Sequence, residues 1–195
     1  RFNRCAPPRV RCALMAVKPP ANAPAAVANQ AQLPMVVPNP SREPVAAYVA
    51  LGANLGDPVT SVRAALTALA QLPHTRLVQA SSLYQTAPHQ AQGPWYVNAV
   101  AKLETCLSAP DLLHALQALE QAAGRVRSHP NAPRTLDLDV LLFGEARINS
   151  AHLTVPHPRW RERAFVLWPL QEIAPALISA DMLAAVADQP ISKLD

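Results

Sequence analysis

From Val45 onward the apolar positions of this chain follow two rhythms, and before Val45 they follow none. Ala47-Tyr48-Val49-Ala50-Leu51 is a short continuous apolar run closed by Gly52-Ala53-Asn54, which predicts a buried strand. Between Pro58 and Leu72 the spacing lengthens. Val62, Ala65, Leu66, Leu69 and Leu72 fall on one helical stripe, with Asp57 as N-cap and Pro58 in the first turn. Arg76 to Thr86 and Tyr96 to Thr105 read as strands, joined by a polar loop, Ala87 to Trp95, that carries two prolines and a glycine. Ser108 to Ala123 predicts a second amphipathic helix with Leu112, Leu113, Leu116 and Leu119 turned inward and Gly124 as its stop. Leu136 to Phe143 reads as a strand, and Trp160 to Ile173 as a helical or irregular cap over the sheet edge. The order strand, helix, strand, strand, helix, strand predicts an α+β fold. It is the ferredoxin-like βαββαβ antiparallel sheet, with helices on one face and a C-terminal helical or irregular extension.

Composition changes this picture mainly at the N-terminal end. Residues 1–44 hold nine of the 21 prolines, much alanine and no usable apolar period, which predicts a disordered Pro/Ala-rich basic extension ahead of a single domain at 45–195. An Arg-rich, acid-poor start resembles a transit peptide, yet no serine precedes Ser41, so a dispensable extension is the expectation. Six of the 17 Lys and Arg, but one of the 13 acids, lie in those 44 residues. The remainder carries eleven basic against twelve acidic residues, too balanced for a nucleic-acid footprint. Cys5, Cys12 and Cys106 have no metal-type spacing, and their odd number fits a reducing compartment, so a cytoplasmic location is expected. No apolar run reaches the roughly 18–20 residues needed to span a bilayer, so no membrane partner is expected.

The chemistry concentrates in Leu136-Asp137-Leu138-Asp139-Val140-Leu141-Leu142. Period two puts both aspartates on one strand face. Two carboxylates aimed the same way repel unless a cation sits between them, and their hard oxygens favour magnesium. The plain alternative is a solvated strand face. Context favours the metal, because Arg134 lies just before the pair and Arg125 and Arg127 a short loop upstream, supplying planar forks for phosphate oxygens. No glycine-rich phosphate loop is present, so side chains and metal must do the work of backbone amides. His157, followed by Arg159, Arg161 and Arg163, adds another basic group. Thr86, Tyr96 and Asn98 are placed to flank a small planar substrate, although Tyr96 serves equally well as plain core on spacing alone.

Five segments in register carry a resemblance: Tyr48 to Leu55, Gly124-Arg125-Val126-Arg127, Pro133-Arg134-Thr135-Leu136-Asp137-Leu138-Asp139, Leu153-Thr154-Val155-Pro156-His157 and Leu167-Trp168-Pro169-Leu170. Together they resemble the 6-hydroxymethyl-7,8-dihydropterin pyrophosphokinases of folate biosynthesis, from about Ala46 to Leu177. The resemblance implies a monomeric transferase that moves the terminal pyrophosphate of ATP to the pterin hydroxymethyl group and releases AMP. It further implies that Asp137 and Asp139 bind two magnesium ions and that Tyr96 and Phe165 sandwich the pterin while Asn98 and Thr86 read its edge. Gln117, Glu120, Arg125, Arg127, His157 and Arg163 would line the nucleotide path, and Arg125 and Arg134 would act on the transferring group. The chain departs from the family at Ser128-His129-Pro130-Asn131-Ala132, where many members carry an arginine and some a tryptophan that closes over the substrates. Two other function classes compete: a nucleotide-binding module without catalysis, and a two-metal nuclease, which the balanced charge disfavours.

Overall fold

The computed structural model describes residues 42–87, 94–124 and 134–194. All but the last three residues of the expected N-terminal extension, and all of the loop 128–132, fall outside them. The first half of the domain runs β1 (Val45–Ala53), α1 (Pro58–Ala70), β2 (Thr75–Ala80), β3 (Tyr84–Thr86), β4 (Tyr96–Thr105), α2 (Ala109–Ala122) and β5 (Asp137–Phe143). After it come β6 (Ile148–Asn149), β7 (Thr154–Val155), α3 (Ala164–Ile173), α4 (Ala180–Ala184) and β8 (Ile191–Lys193). The main sheet has the order β5-β1-β4-β3-β8, with β2 also on β4, and its pairings are antiparallel. With β2 and β3 standing for one strand, this is the expected βαββαβ order.

The helix starts arise from local chemistry. Asp57 accepts the Thr60 N–H at 3.1 Å and its hydroxyl at 2.6 Å, and Pro58 needs no acceptor in the first turn of α1. Ser108 accepts the Asp111 N–H at 3.2 Å, and α2 ends at Gly124, whose φ of 76° few other residues tolerate.

Both sheet faces are covered. Val49, Leu51 and Ala53 of β1, Leu103 of β4, and Leu138 and Val140 of β5 pack under Val62 and Leu69 of α1 and Leu112 and Leu116 of α2. On the opposite face Tyr48, Ala50, Val100 and Leu141 pack under Trp160 and under Val166, Leu167 and Leu170 of α3. The C-terminal segment therefore covers this second face, where cover over an edge was expected. Central strands buried on one side still present apolar residues on the other, and α3 removes them from water. Among the described residues no helix is long and apolar enough to cross a membrane.

Two irregularities interrupt the regular pairing of the sheet. Val49 pairs with Val140 but Tyr48 with Leu142, so Leu141 is an inserted bulge residue. Beyond Asp139 both faces of β5 are covered, with Val140 and Phe143 in the first layer and Leu141 and Leu142 in the second, so the sequence turns from alternating to continuously apolar. The expected strand 76–86 is interrupted at Ser81: the Ser81 hydroxyl oxygen accepts the Val100 N–H at 3.0 Å. Ser82 then donates its N–H and hydroxyl to Glu172 of α3 at 3.1 and 2.8 Å.

Candidate active site

At one end of the second face, beside the first turn of α3, the sheet floors a cavity of about 270 Å³. Its floor is set by register. Asp137, Gly52, Asn98 and Tyr84 lie side by side across β5, β1, β4 and β3, and Asp139 lies beside Ala50. The two aspartates therefore share a face with Gly52 and Ala50 of β1, both small, as the period of the strand requires. Asp137 and Asn98 stand two strand spacings apart, about 10 Å, with only Gly52 between them. A Cβ at Gly52 would meet Asn98 Oδ1 at 3.2 Å, so the glycine keeps the floor open.

One wall is aromatic and amide. Asn98 and Thr86 are buried, and Asn98 Nδ2 donates to Thr86 Oγ1 at 2.9 Å. This bond turns the amide so that Oδ1 faces the floor as an acceptor, and it leaves the Thr86 hydroxyl proton available for a ligand. Tyr96, from the start of β4, and Phe165, from the first turn of α3, line the same cavity. Phe165 also lies under the Arg163 guanidinium, 5.4 Å from ring centroid to cation.

The rest of the lining is largely charged. Asp137 and Asp139 face Arg134, Arg159 and Arg163 around the cavity. Arg134 Nη1 donates to Asp137 in a part-buried ion pair. The backbone of Arg134 is fixed in turn by Asn54, which is buried. Asn54 Oδ1 accepts the Arg134 N–H at 2.8 Å, and the Asn54 N–H donates to the Arg134 carbonyl at 3.1 Å. The charged form of Arg163 is disfavoured first by burial and then by Arg159, while Asp139 and Asp137 favour it. His157 is held below its usual 6.5 by burial, then by Arg163 and Arg159. Its Nδ1 accepts the Arg159 N–H at 3.1 Å, so the neutral ring carries its proton on Nε2.

Of the residues expected from sequence, Thr86, Tyr96, Asn98, Arg134, Asp137, Asp139, Arg163 and Phe165 meet at this cavity. His157 sits within electrostatic reach of Asp137 and Arg163 without lining it. Glu120 and Gln117 of α2 are not on its wall either. Glu120 is buried, and its Oε1 accepts the Leu138 N–H at 2.7 Å, between the two aspartates. It holds the backbone of β5, an edge strand of the sheet, at the point where the acids emerge. Arg125 and Arg127 lie outside the described residues. The sequence reading missed Ala50, Gly52 and Asn54 as parts of the site. The Gly52-Ala53-Asn54 run was legible only as a strand end. Arg159 stood in the basic group without a role of its own.

Among the described residues no cluster of three or more His, Cys, Asp or Glu could hold a metal by itself. A pair of carboxylates suits magnesium, which keeps waters and phosphate oxygens in its shell; it does not suit a structural zinc site.

Comparison with known proteins gives the family. Residues 48–175 match the family model described as 7,8-dihydro-6-hydroxymethylpterin-pyrophosphokinase (HPPK). A Pseudomonas aeruginosa protein named 2-amino-4-hydroxy-6-hydroxymethyldihydropteridine pyrophosphokinase is 49% identical over 154 residues, covering 75% of this chain and 95% of its own length. A Haemophilus influenzae protein of the same name is 46% identical over 158 residues, covering 77% and 99%. Among solved structures, a Plasmodium falciparum HPPK-DHPS triple mutant with STZ-DHP superimposes with a TM-score of 0.57 at 12% identity, over 70% of this chain and 41% of that one. At that identity the likeness speaks for the fold alone. The family match and the two relatives converge: the chain belongs to the 7,8-dihydro-6-hydroxymethylpterin-pyrophosphokinase family.

Proposed function

We propose that this chain transfers the terminal pyrophosphoryl group of ATP to the hydroxymethyl group of 6-hydroxymethyl-7,8-dihydropterin, giving AMP and the pterin diphosphate, a step of folate biosynthesis. The observation that carries the reading is one cavity lined both by aromatic and amide side chains and by a pair of carboxylates with three guanidiniums. A flat heterocycle with polar edges fits the first set, and a polyphosphate with its cation fits the second.

The roles derive from the positions. Tyr96 and Phe165 stack on the two faces of the pterin, while Asn98 Oδ1 accepts from its ring donors and Thr86 completes the polar edge. Two magnesium ions held by Asp137 and Asp139 would neutralise phosphate charge during transfer. Arg134 and Arg163 bind the phosphate oxygens. Arg134, paired with Asp137 in this structure, would exchange that carboxylate for phosphate oxygens once Asp137 held a cation. His157 offers its Nε2 proton toward the nucleotide path, and Glu120 keeps β5 and its acids in place. The hydroxymethyl oxygen attacks the β-phosphorus in line and gives its proton to a phosphate oxygen or to water, while the bond from that phosphorus to the bridging oxygen breaks and AMP leaves. The protein contributes position and electrostatic complementarity, without a covalent intermediate.

Asp139→Ala tests the proposal. AMP formation from ATP plus the pterin alcohol is expected to fall at least about a thousandfold, with the thermal midpoint retained. Undiminished turnover would remove the carboxylate pair from the chemistry. ATP binding by the unaltered chain without AMP release would leave only a nucleotide-binding module.

A further inference from the structure

Arg159, Arg161 and Arg163 alternate along one short segment, yet the structure gives them three different surroundings. Arg161 lies over the Trp160 ring, 4.6 Å from its centroid. Arg163 is half-buried between Phe165 and the aspartates. Arg159 lines the cavity beside Asp137, Asp139 and Arg163, with half of its side chain open to solvent. Among the described residues its acidic partner is Glu162, and their N to O distance of 3.6 Å is too long for a hydrogen bond. An exposed pair of that length contributes little.

Resting on the pyrophosphoryl-transfer reading, we propose that Arg159 is an additional phosphate-binding residue of this site, which binds the polyphosphate of ATP in competition with the Glu162 carboxylate. Three observations support it. The Arg159 backbone is fixed, because its N–H is spent on His157 Nδ1, so the guanidinium swings from an anchored root. Arg159 and Arg163 converge on one cavity although each is a like charge to the other. Such convergence is unfavourable in the empty site and becomes favourable when a multivalent anion lies between them. Finally, the carboxylates that line the cavity together with Arg159 are Asp137 and Asp139, the pair suited to hold a cation against a polyphosphate.

The test compares Arg159→Ala, Arg159→Lys, Glu162→Gln and Arg161→Ala. Affinity for a non-hydrolysable ATP analogue with magnesium is read by titration calorimetry, alongside KM for ATP and for the pterin. Arg159→Ala is expected to weaken the nucleotide about tenfold, with the pterin KM unchanged and kcat reduced less than affinity. Arg159→Lys regains part of the loss, because charge survives without the bidentate fork. Glu162→Gln tightens the nucleotide about twofold to threefold, and Arg161→Ala changes neither substrate. Unaltered nucleotide affinity in Arg159→Ala, or an equal loss in Arg161→Ala, would overturn the assignment. If Glu162→Gln gives no gain, the competition is refuted even where Arg159 binds. Failure of the unaltered chain to release AMP would sink the pyrophosphoryl-transfer reading itself, a result distinct from all of these.

Discussion

Thr86→Val is the sharpest probe of the pterin wall, because it removes one hydroxyl and almost no volume. Thr86 and Asn98 are diagonal neighbours on antiparallel strands, both buried, and their hydrogen bond of 2.9 Å fixes which end of the Asn98 amide faces the cavity floor. Valine cannot accept the Nδ2 proton. An unsatisfied buried donor costs about 1–3 kcal/mol, and since the cavity admits water near Asn98 the lower half of that range applies, about 1–2 kcal/mol. For a chain of this size the loss corresponds to a fall in Tm of roughly 2–8 °C. The functional effect is separate. Once Nδ2 is unpaired, the amide can turn and present a donor where the ligand needs an acceptor. Losing one such neutral hydrogen bond weakens pterin binding by roughly fivefold to tenfold. Pterin affinity by fluorescence titration and Tm by calorimetry measure the two effects on one sample. Thr86→Ser keeps the hydroxyl and should restore pterin affinity while losing only packing. If Val and Ser variants bind pterin equally well, the hydroxyl does not orient Asn98 and the account of this wall is wrong.

Other perturbations separate the remaining parts of the site. Gly52→Ala sets a methyl 3.2 Å from Asn98 Oδ1, so pterin KM should rise several-fold with ATP KM unchanged; equal effects on both substrates would place the strain elsewhere. Glu120→Ala leaves the Leu138 N–H unpaired in a buried position and should cost about 2–3 kcal/mol in urea unfolding, whereas Glu120→Gln keeps an acceptor and should stay near the unaltered chain. A Gln variant as unstable as the Ala variant would show that the charge matters and not the bond. His157 has a folded pKa below the usual 6.5, so its neutral form contributes stability that is complete above that pH and is lost as the pH falls through the lower folded value. Proton resonances of its ring should therefore titrate below 6.5, and Arg159→Ala should move them upward; no movement would show that Arg159 exerts no field on the ring.

Much of this protein was legible one segment at a time. Asp57-Pro58 and Ser108 are caps whose partners lie three residues away, so the helix starts needed no tertiary information. Asp137 and Asp139 share a face because a strand repeats every two residues. The motif Pro133-Arg134-Thr135-Leu136-Asp137-Leu138-Asp139 carried its chemistry in its own order.

The features that stayed hidden depended on residues far apart in the chain. The break at Ser81 to Leu83 is held by Glu172, some 90 positions later, so nothing within the run could announce it. The Leu141 bulge is defined only by where β1 stops matching β5. The resemblance puts Glu120 on the nucleotide path, and only the folded chain shows that its carboxylate also accepts the Leu138 N–H. Gly52 and Ala50 became a floor once β4 and β5 flanked β1 with Asn98 and the aspartates, and Arg159 became part of a wall once α3 crossed the second face. The sequence by itself determined α1, α2 and the strands β1, β4 and β5 with their buried stripes, and it named the candidate reactive groups, because those depend on interactions over a few residues. Only the tertiary structure decided which side chains share a cavity and at what distance, because that is fixed by strand register and by the packing of helices on two opposite faces.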